Sequence, residues 1–118
     1  MLLKYRNDYE KVAMGLLSFA PALKKIDRLQ AELQWYQNSD ARQLLLWKDV
    51  NQDFSGIVGV ELRPHFVVMR LIALTPAARE EDQTNTILDE LQDMYPDQRI
   101  MGTLETTRIV AKWEASHE

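Results

Sequence analysis

The sequence contains no cysteine, and this absence removes several kinds of chemistry. Disulfide bonds, thiolate nucleophiles and cysteine-based zinc sites are all excluded. Only two histidines are present, His65 in a turn that contains a proline and His117 close to the C-terminus, so we do not expect a histidine metal site. Glycine is also scarce, with four residues, and none of them belongs to a glycine-rich phosphate loop.

Long apolar runs and a surplus of basic charge are missing as well. No stretch approaches the ~20 apolar residues of a membrane-spanning helix, and the first residues, MLLKYRNDYEK, are too polar for a signal peptide. The chain has 14 basic and 18 acidic residues, which disfavours a general nucleic-acid surface. We therefore expect a cytoplasmic protein that binds neither membrane nor nucleic acid, with residues 1–118 forming a single domain.

Hydrophobic periodicity predicts five strands and four helices. The predicted strands cover 2–5, 42–48, 55–62, 66–74 and 99–103, and the predicted helices cover 9–20, 23–36, 75–95 and 105–115. The charged positions of the second helix, Glu32 among them, are typical of a solvated face. The order β-α-α-β-β-β-α-β-α predicts an α+β fold, an α/β/α sandwich, in which the last two strands are parallel and the others antiparallel.

Three segments of the first half carry a family resemblance: 10-EKVAMGLLSFAP-21, 42-RQLLLWK-48 and 56-GIVGVE-61. They resemble the GNAT acetyltransferases, and most closely the RibT-like group that is encoded with bacterial riboflavin-biosynthesis genes. The segment 72-IALTPAAR-79 resembles the end of the fourth strand in that superfamily. The resemblance implies a GNAT-like mixed sheet. It also implies an enzyme that moves an acyl group, other than an aminoacyl group, from acetyl-CoA to an amine, with a link to riboflavin biosynthesis.

The same resemblance implies that acetyl-CoA lies in a gap between the fourth and fifth strands. It assigns to the cofactor the end of the fourth strand and the pyrophosphate turn that follows, which are Ile72, Ala73, Leu74, Arg79, Asp82, Gln83 and Thr84. Asp82 and Thr84 stand where the family has glycines, whose missing Cβ permits positive φ and close approach to phosphate. We therefore expect Asp82 and Thr84 to hinder both a positive φ and the close approach of the backbone to a phosphate.

The acids of this turn leave a second interpretation open. Glu80, Glu81 and Asp82 suit an ordinary helix start, because carboxylates complement the positive end of the helix dipole. They would also compete with a phosphate for that end. The alternative function is therefore a degenerate GNAT-fold binding or regulatory protein without acetyl-CoA-dependent catalysis.

The catalytic groups are harder to assign. Glu61 ends an apolar strand, and partial burial there makes it our candidate for the catalytic base. The alternative for Glu61 is an ion pair with Arg63 or Arg70. No tyrosine lies on the last helix, where the family often has its acid. The aromatic pair Trp35 and Tyr36 is either core or part of an acceptor pocket.

The end of the sequence bears on the predicted sheet. The last predicted helix closes at residue 115, and the further strands usual in the family need more than the three residues that follow. The fifth strand is then expected to be an exposed edge, and exposed edges invite pairing with another strand. We expect a homodimer that covers this edge.

Overall fold

The computed structural model describes residues 1–117, which form a five-stranded mixed sheet with helices on both faces. The strands are β1 (Leu2–Lys4), β2 (Arg42–Lys48), β3 (Phe54–Leu62), β4 (Phe66–Leu74) and β5 (Arg99–Gly102). The helices are α1 (Glu10–Leu17), α2 (Ile26–Gln37), α3 (Pro76–Glu80), α4 (Thr84–Met94) and α5 (Thr107–Ala115). None of the helices within residues 1–117 is long and apolar enough to cross a membrane.

The strands follow one another across the sheet in chain order, from β1 to β5. The first four are antiparallel neighbours. β4 and β5 are parallel, because α3 and α4 carry the chain from the end of one strand back to the start of the next. The predicted α+β fold is confirmed, and the predicted bounds of β2 and β4 agree with the structure to the residue.

Both faces of the central strands are buried, which explains why their sequences are continuous apolar runs. Helices α1 and α2 cover one face, in a core that includes Leu17, Leu33, Leu46 and Ile57. Helices α4 and α5 cover the other, in a core that includes Leu45, Val58, Met69, Ile87 and Trp113. Neighbouring residues such as Leu45 and Leu46 therefore belong to different cores, as the alternation of side chains along a strand requires.

The continuous helix predicted over residues 75–95 is wrong, because the chain forms two helices separated by a turn at residues 81–83. The Asp82 N–H donates to the Arg79 carbonyl at 3.2 Å, and the Gln83 N–H donates to the Ala78 carbonyl at 3.3 Å. Asp82 itself has a φ of 50°, in the left-handed region. These two bonds and the left-handed residue make the Schellman arrangement that commonly ends a helix.

Helix α2 begins later than the apolar periodicity predicts. Its first residue, Ile26, is 69% exposed and does not belong to the buried stripe. The preceding residues form a 3₁₀ turn, Pro21–Leu23, which buries Leu23 against α2 and the sheet. The proline therefore opens a separate turn, and α2 packs on the sheet through residues from Leu29 onward.

Candidate active site

The parting of β4 and β5 creates a cleft at one end of the sheet. β5 pairs with β4 only from Phe66 to Met69, so residues 70–74 of β4 have no strand neighbour on that side. Thr106 is buried at the point of separation, where its hydroxyl donates to the Met69 carbonyl at 2.6 Å. Gly102 permits this close packing, because a Cβ there would lie 2.7 Å from the Cα of Thr107. The outer backbone groups of β4 beyond Met69 are therefore without a strand partner.

A β-bulge in β4 lies beside this gap. Met69 pairs with Val60 and Leu71 pairs with Gly59, which leaves Arg70 as the extra residue. Arg70 and Leu71 consequently lie on the same face of the sheet, where the Arg70 guanidinium is 5.0 Å from the ring centroid of Trp35 and Leu71 packs into the α1–α2 core. Bulges redirect side chains in this way, and here the redirected residue is a charged one.

A cavity of about 220 Å³ follows the unpaired end of β4. Five of the residues predicted to bind the cofactor line it, namely Ile72, Ala73, Leu74, Arg79 and Thr84. The remaining walls come from the segment after α1 and from α5, through Phe19, Ala20, Pro21 and Ile109. Asp82 and Gln83 lie in the adjacent turn and do not line the cavity. The structure therefore brings most of the predicted donor-binding residues together.

The turn between α3 and α4 has the backbone shape that glycine was expected to supply. Thr75 caps α3, since its hydroxyl accepts from the Ala78 N–H at 3.3 Å, and Pro76 occupies the first helical position. Asp82 then adopts its positive φ without being a glycine, which aspartate tolerates better than most residues. The left-handed conformation is therefore present at Asp82, and the expected hindrance to a phosphate at Asp82 and Thr84 stays a prediction. The first N–H groups of α4 have no partner within the helix, as at any helix start.

A second cavity, of about 330 Å³, adjoins the first. The two share Ala20, Pro21, Ile72 and Ile109, so they form one groove along β4, which we call the cleft. The second cavity holds three charged side chains, Glu32 of α2, Arg70 of β4 and Glu105 of the segment before α5. We call the two ends of the cleft the Arg79 end and the Glu32 end.

The two carboxylates at the Glu32 end have different environments. Burial raises the pKa of Glu32, and the nearby Arg70 guanidinium opposes that rise. The pKa of Glu105 is lowered, because its carboxylate accepts hydrogen bonds from its own backbone N–H and from the Thr103 hydroxyl, the latter at 2.9 Å. Within residues 1–117, the Glu32 carboxylate has no hydrogen-bond or ion-pair partner. Glu32 is therefore the carboxylate of the cleft whose capacity to accept a hydrogen bond is unused.

Glu61, the base candidate from the sequence, lines neither cavity of the cleft. Its carboxylate is held by Arg63 at 2.6 Å and by Arg70 at 3.2 Å, and its side chain is 14% exposed. The ion-pair alternative describes this arrangement, and a catalytic role for Glu61 stays a prediction. The guanidinium groups of Arg42 and Arg70 lie 4.0 and 5.0 Å from the ring centroid of Trp35.

Glu32 is the residue of the cleft that the sequence pattern missed. The pattern predicts a solvated helix face, whereas the structure half-buries the side chain at the end of the cleft. Glu32 lies three residues after Leu29 and four before Tyr36, both of which are buried on the inner face of α2. Residues at these spacings are neighbours on a helix surface, so Glu32 borders the buried stripe. An acid at the border of an apolar stripe is the signal that would have identified it.

Other features of the described chain lie apart from the cleft. A cavity of about 380 Å³ lies between the end of α2 and β2, and its lining residues, from Tyr5 to Leu44, include none that line the cleft. The Tyr36 hydroxyl is buried without a partner within residues 1–117, and burial raises its pKa. No group of three His, Asp or Glu side chains in the part of the chain described is arranged to hold a metal ion.

The sequence and the fold are similar to those of N-acetyltransferases. No family model matches the sequence. A relative from Bacillus methanolicus, named "Uncharacterized N-acetyltransferase in lysA 3'region", is 34% identical over 118 residues, which cover 99% of this chain and 98% of the relative. This identity over nearly the whole of both chains is enough to show common family membership.

Solved structures show the same architecture at low identity. The aminoglycoside 6'-N-acetyltransferase AAC(6')-Ih from Acinetobacter baumannii is 12% identical, with a TM-score of 0.68 over 98% of this chain and 87% of that chain. The spermidine N-acetyltransferase from Vibrio cholerae, solved in complex with CoA and spermine, is 14% identical, with a TM-score of 0.57 over 79% of this chain and 61% of that chain. At these identities the likeness shows the fold alone.

Proposed function

This chain belongs to the GNAT family of N-acetyltransferases, and on that premise we propose that it transfers an acetyl group from acetyl-CoA to an amine acceptor. The observation that carries the proposal is the cleft along β4, which begins where β5 leaves the sheet. The Arg79 end binds the donor and the Glu32 end binds the acceptor. The transferred group is an acyl group other than an aminoacyl group.

The residues at the Arg79 end fit a CoA thioester. An extended pantetheine arm carries amide groups, and the unpaired backbone of residues 72–74 offers the hydrogen-bonding pattern of a strand edge. The turn after α3 leads into the start of α4, where free N–H groups and the positive end of the helix favour a phosphate. Arg79 lines the same cavity and supplies a cation. Phe19 and Ile109 give this cavity apolar walls.

Catalysis in the cleft comes mainly from holding the donor and the acceptor in position. Two reactants held side by side in one groove react as if in a single molecule, which contributes a large part of the rate of acyl transfer. Backbone N–H groups of β4 beyond Met69 are fixed by the β3–β4 ladder, so they can polarise a thioester carbonyl without reorganising. The tyrosine acid of related enzymes has no counterpart on α5, so the departing sulfur takes its proton from another group.

We also propose that the acetyl transfer is linked to riboflavin biosynthesis. The support is the resemblance of segments 10–21, 42–48 and 56–61 to the RibT-like group. These segments lie in α1, β2 and β3, and the first of them adjoins the walls of the cleft at Ala20 and Pro21. Acetylation of an amine-bearing riboflavin intermediate by the purified protein would support this link, and transfer only to unrelated amines would remove it.

The experiment that tests donor binding is calorimetric titration with acetyl-CoA and with free CoA. We expect micromolar binding of both. Arg79→Gln should weaken binding by about three- to tenfold, because it removes one charged contact from a solvent-facing site. Arg28→Gln is the matched control, since Arg28 is exposed on α2 and lines neither cavity of the cleft.

Two results would contradict the proposal. No heat at millimolar acetyl-CoA would favour the degenerate binding or regulatory protein. Equal losses of affinity in Arg79→Gln and Arg28→Gln would mean that net charge, and not the Arg79 end of the cleft, governs binding.

A further inference from the structure

The Glu32 end of the cleft contains one carboxylate that the fold leaves unused. Glu32 has no partner within the described residues, whereas Glu61 is held by two arginines and Glu105 is held by Thr103 and its own N–H. A half-buried carboxylate without a partner is costly to keep, because burial disfavours its charge. Such a group is typical of a site where a ligand supplies the missing partner.

The surroundings of Glu32 define what that ligand can be. Arg70 of β4 and Glu105 of the segment before α5 are the charged side chains that share its cavity. On its own helix, Arg28 and Tyr36 lie four residues before and after it. Arg70 is already paired with Glu61 at 3.2 Å, so its charge is partly neutralised. The other lining residues are mostly small and apolar, from Ala20–Leu23 and from Leu71, Ile72 and Ile109. A cationic group on an aliphatic chain matches this combination.

We propose that Glu32 is the catalytic base of the acetyl transfer, and that its acceptor is a primary aliphatic amine which arrives as an ammonium ion. This inference rests on the proposed function, because it requires a donor at the Arg79 end. Glu32 first binds the ammonium group and then accepts one of its protons. The raised pKa of Glu32 supports the assignment, since a carboxylate with a higher proton affinity is a stronger base.

The step balances without any further reactant. One ammonium proton moves to the Glu32 carboxylate, and the freed nitrogen lone pair forms a bond to the thioester carbonyl carbon. The carbon–sulfur bond then breaks, and its electron pair leaves with the CoA sulfur. The attacked nitrogen gives its second proton to that sulfur, so the products are an N-alkyl acetamide and the CoA thiol. Glu32 finally releases its proton to water through the open end of the cleft.

The test uses acetyl-CoA as donor and n-butylamine as acceptor, with thiol release and the mass of the product as readouts. We expect Glu32→Gln to lower kcat/KM by about 100-fold or more, which is the usual contribution of a general base. The rise of kcat/KM with pH through the titration of Glu32 should disappear in this variant. Glu105→Gln removes an equal charge from the same cavity, and it should raise KM while leaving that rise in place.

A second measurement does not depend on the acceptor. The pKa of Glu32 is raised in the folded state, so its ionisation costs stability as pH rises above the unfolded value. Glu32→Gln should therefore melt at a higher temperature than the wild type at pH 8, and the difference should shrink towards pH 4. Glu10→Gln, an exposed position on α1, is the control and should show no such difference.

The outcomes separate this inference from the proposed function. If acetyl-CoA binds but Glu32→Gln acetylates n-butylamine within threefold of the wild type, with the same pH dependence, Glu32 is not the base. If acetyl-CoA binds and the wild type does not acetylate n-butylamine, the assigned class of acceptor is wrong. If acetyl-CoA does not bind at all, the proposed function fails first, and the inference fails with it.

Discussion

At Asp82, substitution by glycine should leave the protein more stable than substitution by alanine. This is the reverse of the usual order within a helix. In a helix interior, alanine is more stable than glycine by about 1 kcal/mol. A left-handed residue is different, because the Cβ of an L-residue clashes with the following carbonyl there. The φ of 50° at Asp82 therefore predicts that Asp82→Gly is more stable than Asp82→Ala.

The size of the effect follows from two opposing contributions. The left-handed conformation costs alanine about 1–2 kcal/mol. Glycine avoids this cost, but it is less stable than alanine by about 0.4–1 kcal/mol for another reason, because the unfolded chain has more conformational freedom at a glycine. The free energy of unfolding should thus be higher for Asp82→Gly by about 0.5–1 kcal/mol. With an unfolding entropy of about 2.1 cal/mol/K per residue, this corresponds to about 2–4 °C in melting temperature.

The assay is urea or thermal unfolding of both variants, with Gln30 as the matched control site. Gln30 is exposed in the middle of α2 and lies outside the cleft. Gln30→Ala should be more stable than Gln30→Gly by about 1 kcal/mol, in the ordinary order. If alanine is at least as stable as glycine at both sites, residues 75–95 behave as one continuous helix and the turn at Asp82 is refuted.

Two further predictions concern other parts of the chain. The pKa of His117 is raised, because its ring bonds to the Trp113 carbonyl at 2.8 Å and to the Asp89 carboxylate at 3.0 Å. That stabilisation is full below pH 6.5 and is lost as pH rises through the folded pKa, so His117→Gln should lower the melting temperature more at pH 5.5 than at pH 8.5. We also propose that the free edge of β5 pairs with a second copy of the chain, as light scattering at micromolar concentration would show. Met101→Lys on that edge should shift the mass towards a monomer, and a monomeric wild type would remove the proposal.

The sheet was predictable from the sequence because its strands are marked by two strong signals. The runs RQLLLWK and FVVMRLIAL are apolar on both faces, and turn residues bound them on each side. The connections also decide the pairing, since short loops force antiparallel neighbours and a helical connection allows a parallel one. Both signals are local, so one sequence is enough to read them.

The turn at Asp82 was not predictable in the same way. Apolar residues keep a helical spacing through α4, and no glycine marks the left-handed position. The turn is specified instead by the Schellman bonds to the Arg79 and Ala78 carbonyls, which apolar spacing does not reveal. The position of Glu32 in the cleft was hidden for a related reason. Its surroundings come from β4 and from the segment before α5, about 40 and 70 residues away along the chain.

The structure separates the shape of the phosphate turn from its charge. Asp82 stands where the resembled family has a glycine and still adopts the left-handed conformation, so the backbone shape that we propose for phosphate binding is formed. What differs is that Glu80, Glu81 and Asp82 place three carboxylates beside the single guanidinium of Arg79. Donor affinity must then come from backbone groups and from the apolar walls of the cleft more than from charge.

Asp82→Asn isolates the effect of the carboxylate charge on donor binding, because asparagine also tolerates positive φ while carrying no charge. It should tighten acetyl-CoA binding by about two- to fivefold, and an unchanged affinity would show that the carboxylates do not limit binding.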